Sequence, residues 1–249
     1  MWEMLEVDES PRLDDAILLV ALSTMAPQYR ALYSHARELS KYLIRKLEFR
    51  KIATLYSSSL PPAVSISDAG VARLNSNSFY VYSGKRPVVM VAGDGSPFDD
   101  QQQYAHSVLS FAQQIGVKKV ISVGARWSDA PIAPGSTPKV VGFSNDVDGV
   151  KELEGDGVEV TKSEPGPFFA NLVVAMSGDY GMRGYKIGVD HGEPVPHPKS
   201  LIQILRVLEK MAGIKVEVKE LQERAANMKD EEVTGSMPEV AREREGIYG

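Results

Sequence analysis

The sequence predicts an α/β fold built around a parallel sheet, and three observations carry that reading. A strand–helix–strand unit spans Pro87 to Ala125. Two further stretches, Ala16 to Leu22 and Tyr185 to Val189, read as a buried strand and an apolar strand. Amphipathic helical patterns, the clearest from Ser200 to Ala212, alternate with those runs, which is the order expected of helices packed on a parallel sheet.

Within the central unit, Val88 to Ala92 forms the first strand. Gly93-Asp94-Gly95 breaks it, because glycine turns the backbone without a Cβ penalty. Ser96 is placed as the N-cap of the following helix and Pro97 as its first residue. Asp99 and Asp100 fall in its first turn, where negative charge complements the helix dipole. Tyr104, Val108, Phe111 and Ile115 share one helical face, and Gly116 ends the helix. Val117 to Val123 returns as a strand, and two strands joined by a helix pair in parallel.

The other elements follow in chain order. Ala16 to Leu22 is a buried strand, Ser23 to Pro27 a loop, and Gln28 to Leu47 a long helix with Leu32, Ala36, Leu39, Leu43 and Leu47 on its apolar side. Tyr29, Tyr33 and Tyr42 flank that side. Pro61-Pro62 interrupts the chain before two shorter strands, Val64 to Arg73 and Ser78 to Tyr82, joined by Asn75-Ser76-Asn77. The alternation of Phe79 and Val81 with Tyr80 and Tyr82 predicts a half-buried strand near a sheet edge. After a loop from Arg126 to Lys139 come a strand at Val140 to Phe143, an acidic stretch from Asp146 to Gly157 and a short strand at Val158 to Val160. Pro165 and Pro167 stiffen the entry to a helix over Phe168 to Met176. The helix at Ser200 to Ala212 ends at Gly213, and Val216 to Met228 is a second, more charged helix. From Lys229 the chain turns polar and charged, so the expected organisation is one α/β domain, 1–228, and a flexible tail, 229–249.

Composition narrows the chemistry. With no cysteine in 249 residues, disulfides, thiolate zinc sites and a cysteine nucleophile are all excluded. The net charge of −5, without a basic stripe beyond the scattered cations at Arg45 to Lys51, argues against nucleic acid as a partner. No apolar run approaches the ~20 residues of a membrane span, and the acidic amino terminus lacks a signal-peptide core, so a cytoplasmic protein is expected.

The candidate ligand crevice lies at the carboxyl ends of the two central strands, with Asp94, Ser96, Arg126 and Asp129 as its side chains. Glycines feeding a helix at that position suit an anion. Against a nucleotide, Phe98 stands where the third glycine of the dinucleotide pattern belongs, the P-loop lysine is missing, and Asp94 and Asp99 repel phosphate; a tight structural turn fits better. His191, Glu193 and His197 are close in sequence, but the prolines among them oppose convergence on a metal, so neither metal nor cofactor is expected. No nucleophile–base pair stands at a recognised spacing.

Two blocks, VVMVAGDGSPFDDQQQYAHSVLSFAQQIGVKKVISVGA and GPFFANLVVAMSGDYGMRGYKIGVDHGEPVPHPKSLIQILRVLEKMAGIKVEVKELQERA, resemble the proteasome assembly chaperone 2 family, especially its archaeal members. The resemblance implies a three-layer sandwich with a mostly parallel central sheet, similar to the nucleoside-phosphorylase-like fold. It implies a non-enzymatic, homo-oligomeric chaperone or adaptor whose partners are proteasome α subunits or the core particle. Met25-Ala26-Pro27 departs from the glycine-rich turn of many members. Archaeal relatives that act on the proteasome end in a hydrophobic residue, tyrosine and any residue, and Ile247-Tyr248-Gly249 matches that ending. In that role a terminal carboxylate pairs with a lysine between two α subunits while the tyrosine packs its ring and donates its hydroxyl. The alternative function is a nucleoside- or nucleotide-binding protein or enzyme using the crevice.

Overall fold

The computed structural model describes residues 2–26, 31–66, 68–93, 95–127, 136–162, 168–191 and 197–227; at 24–26, 31–33, 125–127 and 190–191 it describes the backbone alone. The chain forms strands β1 (Glu3–Val7), β2 (Ala16–Val20), β3 (Thr24–Ala26) and β4 (Ala31–Tyr33), then helix α1 (His35–Lys46). Strands β5 (Arg50–Ser57), β6 (Val64–Ile66), β7 (Ala72–Leu74), β8 (Asn77–Ser83) and β9 (Pro87–Gly93) lead to α2 (Gln101–Gln114) and β10 (Val117–Trp127). There follow β11 (Val140–Ser144), α3 (Val147–Gly155), β12 (Glu159–Val160), α4 (Phe169–Ser177), β13 (Arg183–His191), α5 (Pro198–Ala212) and α6 (Lys219–Asn227).

Nine strands form one sheet in the order β1-β5-β8-β9-β2-β10-β13-β11-β12. The expected parallel core is present, since β9, β2, β10 and β13 pair in parallel. Antiparallel pairings extend it on both sides, through β8, β5 and β1 on one and through β11 on the other, so the sheet as a whole is mixed. Alternation along the buried strands feeds two cores. Ile17, Leu19, Ile121 and Tyr185 face Leu39 and Leu43 of α1 and Ile204 and Leu208 of α5. Leu18, Val20, Val89 and Val120 face Tyr104, Val108 and Phe111 of α2 and Phe169 and Val173 of α4. Helices thus cover both faces, giving three layers.

Several elements differ from expectation for local reasons. The helix expected from Gln28 begins only at His35; the residues before it include the two-stranded β3–β4 ladder. Tyr42 does not flank the apolar side but is buried, its hydroxyl donating to the Glu217 carbonyl at 2.6 Å. In the central unit, α2 starts at Gln101, and Asp100 is the cap, its carboxylate accepting from the Gln103 N–H at 3.4 Å. Ser96 and Pro97 lie in the loop before it. The acidic stretch contains α3, which Asp146 caps through Gly149 and whose Leu153 is fully buried; one buried side chain per turn was too faint a pattern to read. β8 is half-buried as expected and lies third from the β1 edge, paired on both sides by β5 and β9.

Candidate functional site

Because β9, β2, β10 and β13 are parallel, their carboxyl ends converge on one end of the sheet, and β5 shares their direction. The loop after β9 is held there by Asn77, the first residue of β8 and fully buried. Its Nδ2 donates to the Gly95 carbonyl at 2.8 Å and to the Tyr104 hydroxyl at 2.7 Å. The Ser96 N–H donates to the Ser23 carbonyl at 3.1 Å, tying the loop to the chain just past β2. Gly93 must be glycine: a Cβ there would stand 2.5 Å from both the Asn77 Oδ1 and the Ser76 carbonyl. Burial raises the Tyr104 pKa above its ordinary value, keeping the phenol neutral as acceptor for Asn77.

Lys186 lies deeper, at 1% exposure in the middle of β13. Its neighbour across β10 is Ser122, fully buried with no hydrogen-bond partner to its hydroxyl, and its neighbour on β11 is Phe143. Gly124 and Gly188 leave room for the stem: Lys186 Cε lies 3.6 Å from where a Gly124 Cβ would be, and Nζ 3.3 Å from where a Gly188 Cβ would be. The amino group thus reaches toward the carboxyl ends of the strands. Ala170, in the first turn of α4, covers Gly124 from above the sheet. The arrangement offers one buried cation and one buried hydroxyl, with the half-buried opening turn of a helix beside them.

Of the crevice residues singled out in the sequence, Ser96 alone has a described side chain, 9% exposed in its loop. Arg126 is placed by backbone only, as the register partner of Asp190 near the end of β10. Asp94 and Asp129 lie outside the described residues, as do Ile247, Tyr248 and Gly249. Of the histidine–glutamate trio, His197 caps α5, its Nδ1 accepting from the Lys199 N–H at 3.1 Å; His191 is placed by backbone and Glu193 lies outside the description. Among the described residues no group of three acidic or histidine side chains could hold a metal. Asn77, Ser122 and Lys186 were missed; the one available signal was a lysine inside the apolar run Tyr185 to Val189.

A second feature of the carboxyl end is apolar. The β6–β7 hairpin pairs only with itself, and its residues are exposed on both strands, Ile66 at 72% and Val64 at 58%. Leu74, Val71 and the nearby Phe98 are more than half exposed too. Hydrogen bonds from Asn75 Nδ2 to Pro61 O and from Asn75 N to Ala63 O close the base of the hairpin, and Phe98 N donates to Ser59 O just before it. An isolated two-stranded ribbon is marginal in water, and a projecting patch of Val, Ile, Leu and Phe marks a contact surface.

The opposite end of the sheet carries a charge network. Glu152 of α3 accepts from Lys119 at 2.8 Å, from Arg183 at 2.5 Å and from the Tyr185 hydroxyl at 2.5 Å. Arg183 also donates to Asp146 at 2.7 Å. Burial pushes the Glu152 carboxyl up, but these donors outweigh it and hold the pKa at about 2. Burial and the Glu152 carboxylate both raise the Tyr185 phenol. A cavity of about 450 Å³ opens beside the network, but its charges already satisfy one another, and the group braces α3 against β10 and β13.

Taken together, these features define a three-layer α/β protein with a closed polar crevice and an exposed apolar ribbon at one end of the sheet. The chain belongs to the PAC2 family, whose model matches residues 36–234. Among solved structures, it is similar to Pyrococcus furiosus PbaB, an archaeal proteasome activator, at 21% identity over 90% of this chain and 94% of that one, with a TM-score of 0.77. It is also similar to Pyrococcus furiosus PbaA, an archaeal homolog of proteasome-assembly chaperone, at 20% identity over 90% and 92% of the two chains, TM-score 0.70. A Mycobacterium tuberculosis proteasome-assembly chaperone homologue superposes at 18% identity over 91% and 98%, TM-score 0.69. Among curated proteins no sequence relative matches. No helix among the described residues is long and apolar enough to cross a membrane.

Proposed function

We propose that this protein is a non-enzymatic proteasome assembly chaperone or adaptor that docks on proteasome α subunits through Ile247, Tyr248 and Gly249, residues of its polar 229–249 tail. The observation that carries the reading is membership of the PAC2 family in a chain that bears the hydrophobic-tyrosine-any tripeptide. The names of the structural neighbours support it, one a proteasome activator and two chaperone homologues.

A single short peptide binds weakly, since ordering it costs conformational entropy. Several copies displayed on one oligomer overcome that by avidity when their linkers reach the pockets. Residues 1–228 are the scaffold in this proposal, and the exposed β6–β7 ribbon is the surface through which copies associate.

Native mass spectrometry of the protein with isolated proteasome α rings tests the reading, with and without Ile247-Tyr248-Gly249. Loss of binding on deletion, with the oligomer intact, is the expected outcome. Equal binding by both forms would move the contact to the globular surface and refute the tail's role. A monomer in the same spectra would refute the oligomeric scaffold.

A further inference from the structure

The nine-stranded sheet has two edges, and they are built differently. At one edge β12 has only two residues, and its Glu159 carboxylate is held by Lys139 at 3.0 Å. At the other edge β1 has five, pairs with β5 without a bulge, and contains neither proline nor lysine, the residues that most often blunt an edge. Among the described residues nothing pairs with its outer side. Met4, and Trp2 just before the strand, share one face and are 53% and 51% exposed; Val7 on the other face is exposed too. The edge is nevertheless firmly held. The Glu3 carboxylate accepts from the Ser57 hydroxyl at 3.1 Å and from the Ser107 hydroxyl of α2, and the Ser58 N–H donates to the Trp2 carbonyl at 3.1 Å. A fixed, unpaired strand that carries apolar side chains is a template for another strand.

The hydrogen bonds of β1 define which groups it has to offer. The Trp2 carbonyl and the Asp8 N–H point inward, to the Ser58 N–H and to the Ile52 carbonyl. By the alternation of an antiparallel ladder Met4 and Glu6 share that direction, so the N–H and C=O groups of Glu3, Leu5 and Val7 face outward. A second β1 laid antiparallel and centred on Leu5 meets all three. Leu5 then stands opposite Leu5, Glu3 opposite Val7 and Met4 opposite Glu6, so no like charges face each other directly. Centring on Glu3 or Glu6 sets a glutamate against itself, and centring on Val7 sets Glu6 against Asp8. Centring on Met4 shortens the ladder, because Glu6 and Val7 then stand opposite residues outside β1. In the Leu5 register Trp2 comes opposite Asp8, which pairs with Lys51 at 3.7 Å, and its ring meets that ion pair.

We propose that two copies of this chain join through β1, antiparallel and centred on Leu5, so that their sheets continue into one across a two-fold axis. The partner is a second copy because the strand complements itself both in charge and in hydrogen bonding. The contact deepens the oligomeric part of the preceding reading and rests on it only in that copies of this chain associate. It is separate from the β6–β7 ribbon and from the docking of Ile247-Tyr248-Gly249. A single strand pair lies at the small end of specific interfaces, so it acts beside another contact on the same chain.

Sedimentation equilibrium of the full-length protein tests this, in the parent and in Ile66→Ser, which weakens the ribbon contact alone. Self-association that persists in Ile66→Ser is expected. In that background Met4→Glu sets a carboxylate directly opposite Glu6 of the second copy, twice in the two-fold contact, and should weaken association about ten-fold. Adding Glu6→Lys makes both pairs opposite in charge and should restore association to within about two-fold. Met4 is exposed, so the change leaves the core untouched, and recovery in the double variant excludes a folding defect. Amide exchange gives a second readout: the Leu5 and Val7 N–H groups should gain protection as protein concentration rises, whereas those of Met4 and Glu6, already turned to β5, should not. Association unchanged by Met4→Glu, or a double variant as weak as Met4→Glu alone, would overturn the β1 contact. A monomeric Ile66→Ser protein beside an associating parent would overturn this contact alone; a monomeric parent would overturn it together with the oligomeric scaffold.

Discussion

Replacing Glu152 by glutamine measures how much of the stability at the amino end of the sheet rests on one carboxylate. In the folded chain its pKa is about 2, against an ordinary 4.5, because three donors outweigh the effect of burial. At 1.36 kcal/mol per pH unit, that difference corresponds to about 3 kcal/mol of favourable interaction in full. The side chain is 39% exposed, so solvent screening reduces the expectation to about 1.5 kcal/mol. A depressed folded pKa stabilises above the unfolded value and is lost as pH falls through the folded one, so the window runs from about pH 4.5 down to about 2. Urea denaturation of the parent and Glu152→Gln proteins at pH 7 and pH 3 is the assay. The parent should be the more stable by about 1.5 kcal/mol at pH 7, and the gap should shrink to roughly half or less at pH 3, where the unfolded chain already binds the proton. An equal gap at both pH values, or none at pH 7, would refute the assignment of stability to the ionised carboxylate.

Two further substitutions probe the architecture. Tyr104→Phe removes the acceptor 2.7 Å from Asn77 Nδ2 in a fully buried setting, and should cost about 1–2 kcal/mol in thermal denaturation; an unchanged midpoint would show that the Gly95 carbonyl alone satisfies Asn77. Gly116→Ala places a Cβ 2.1 Å from the Leu13 carbonyl oxygen at a backbone φ of +96°, and should cost at least about 2 kcal/mol by chemical denaturation. A loss within about 0.5 kcal/mol would mean that the Leu13 segment yields freely.

The parts of the fold that were legible are those where burial wrote a strong pattern. β2 and β9 are covered on both faces and run unbroken in apolar residues, β10 and β13 keep apolar residues at most of their buried positions, and α5 needed a full apolar side to pack on β11 and β13. β1 and β5 escaped notice because their demands are weaker. β1 is an edge strand with no fully buried residue, and β5 opens with the exposed Arg50 and Lys51 before its buried stretch. The start of α2 shows a competition between two caps. Ser96-Pro97 and Asp99-Asp100 both offered helix starts, and tertiary contacts decided between them: Ser96 N and Phe98 N are claimed by the Ser23 and Ser59 carbonyls, which leaves the loop extended until Asp100. Local preference proposes a boundary, and the hydrogen bonds of distant strands select it.

The site was harder to read because its polar groups are structural in position and scattered in sequence. Asn77, Ser96, Tyr104, Ser122 and Lys186 come from β8, a loop, α2, β10 and β13, and the sheet order rather than the chain order brings them to one end. Ser122 and Lys186 face each other only because β10 and β13 pair in parallel at that register; a shift of one residue in either strand would put the two side chains on opposite faces of the sheet. A lysine costs least at such a depth when its stem lies along apolar atoms and its amine meets polar ones, and the two facing glycines, Gly124 and Gly188, provide the channel for the stem. The pairing of small residues with a buried cation on adjacent strands is therefore a joint property of two segments more than fifty residues apart. It becomes legible in the sequence only once the pairing of β10 with β13 is known.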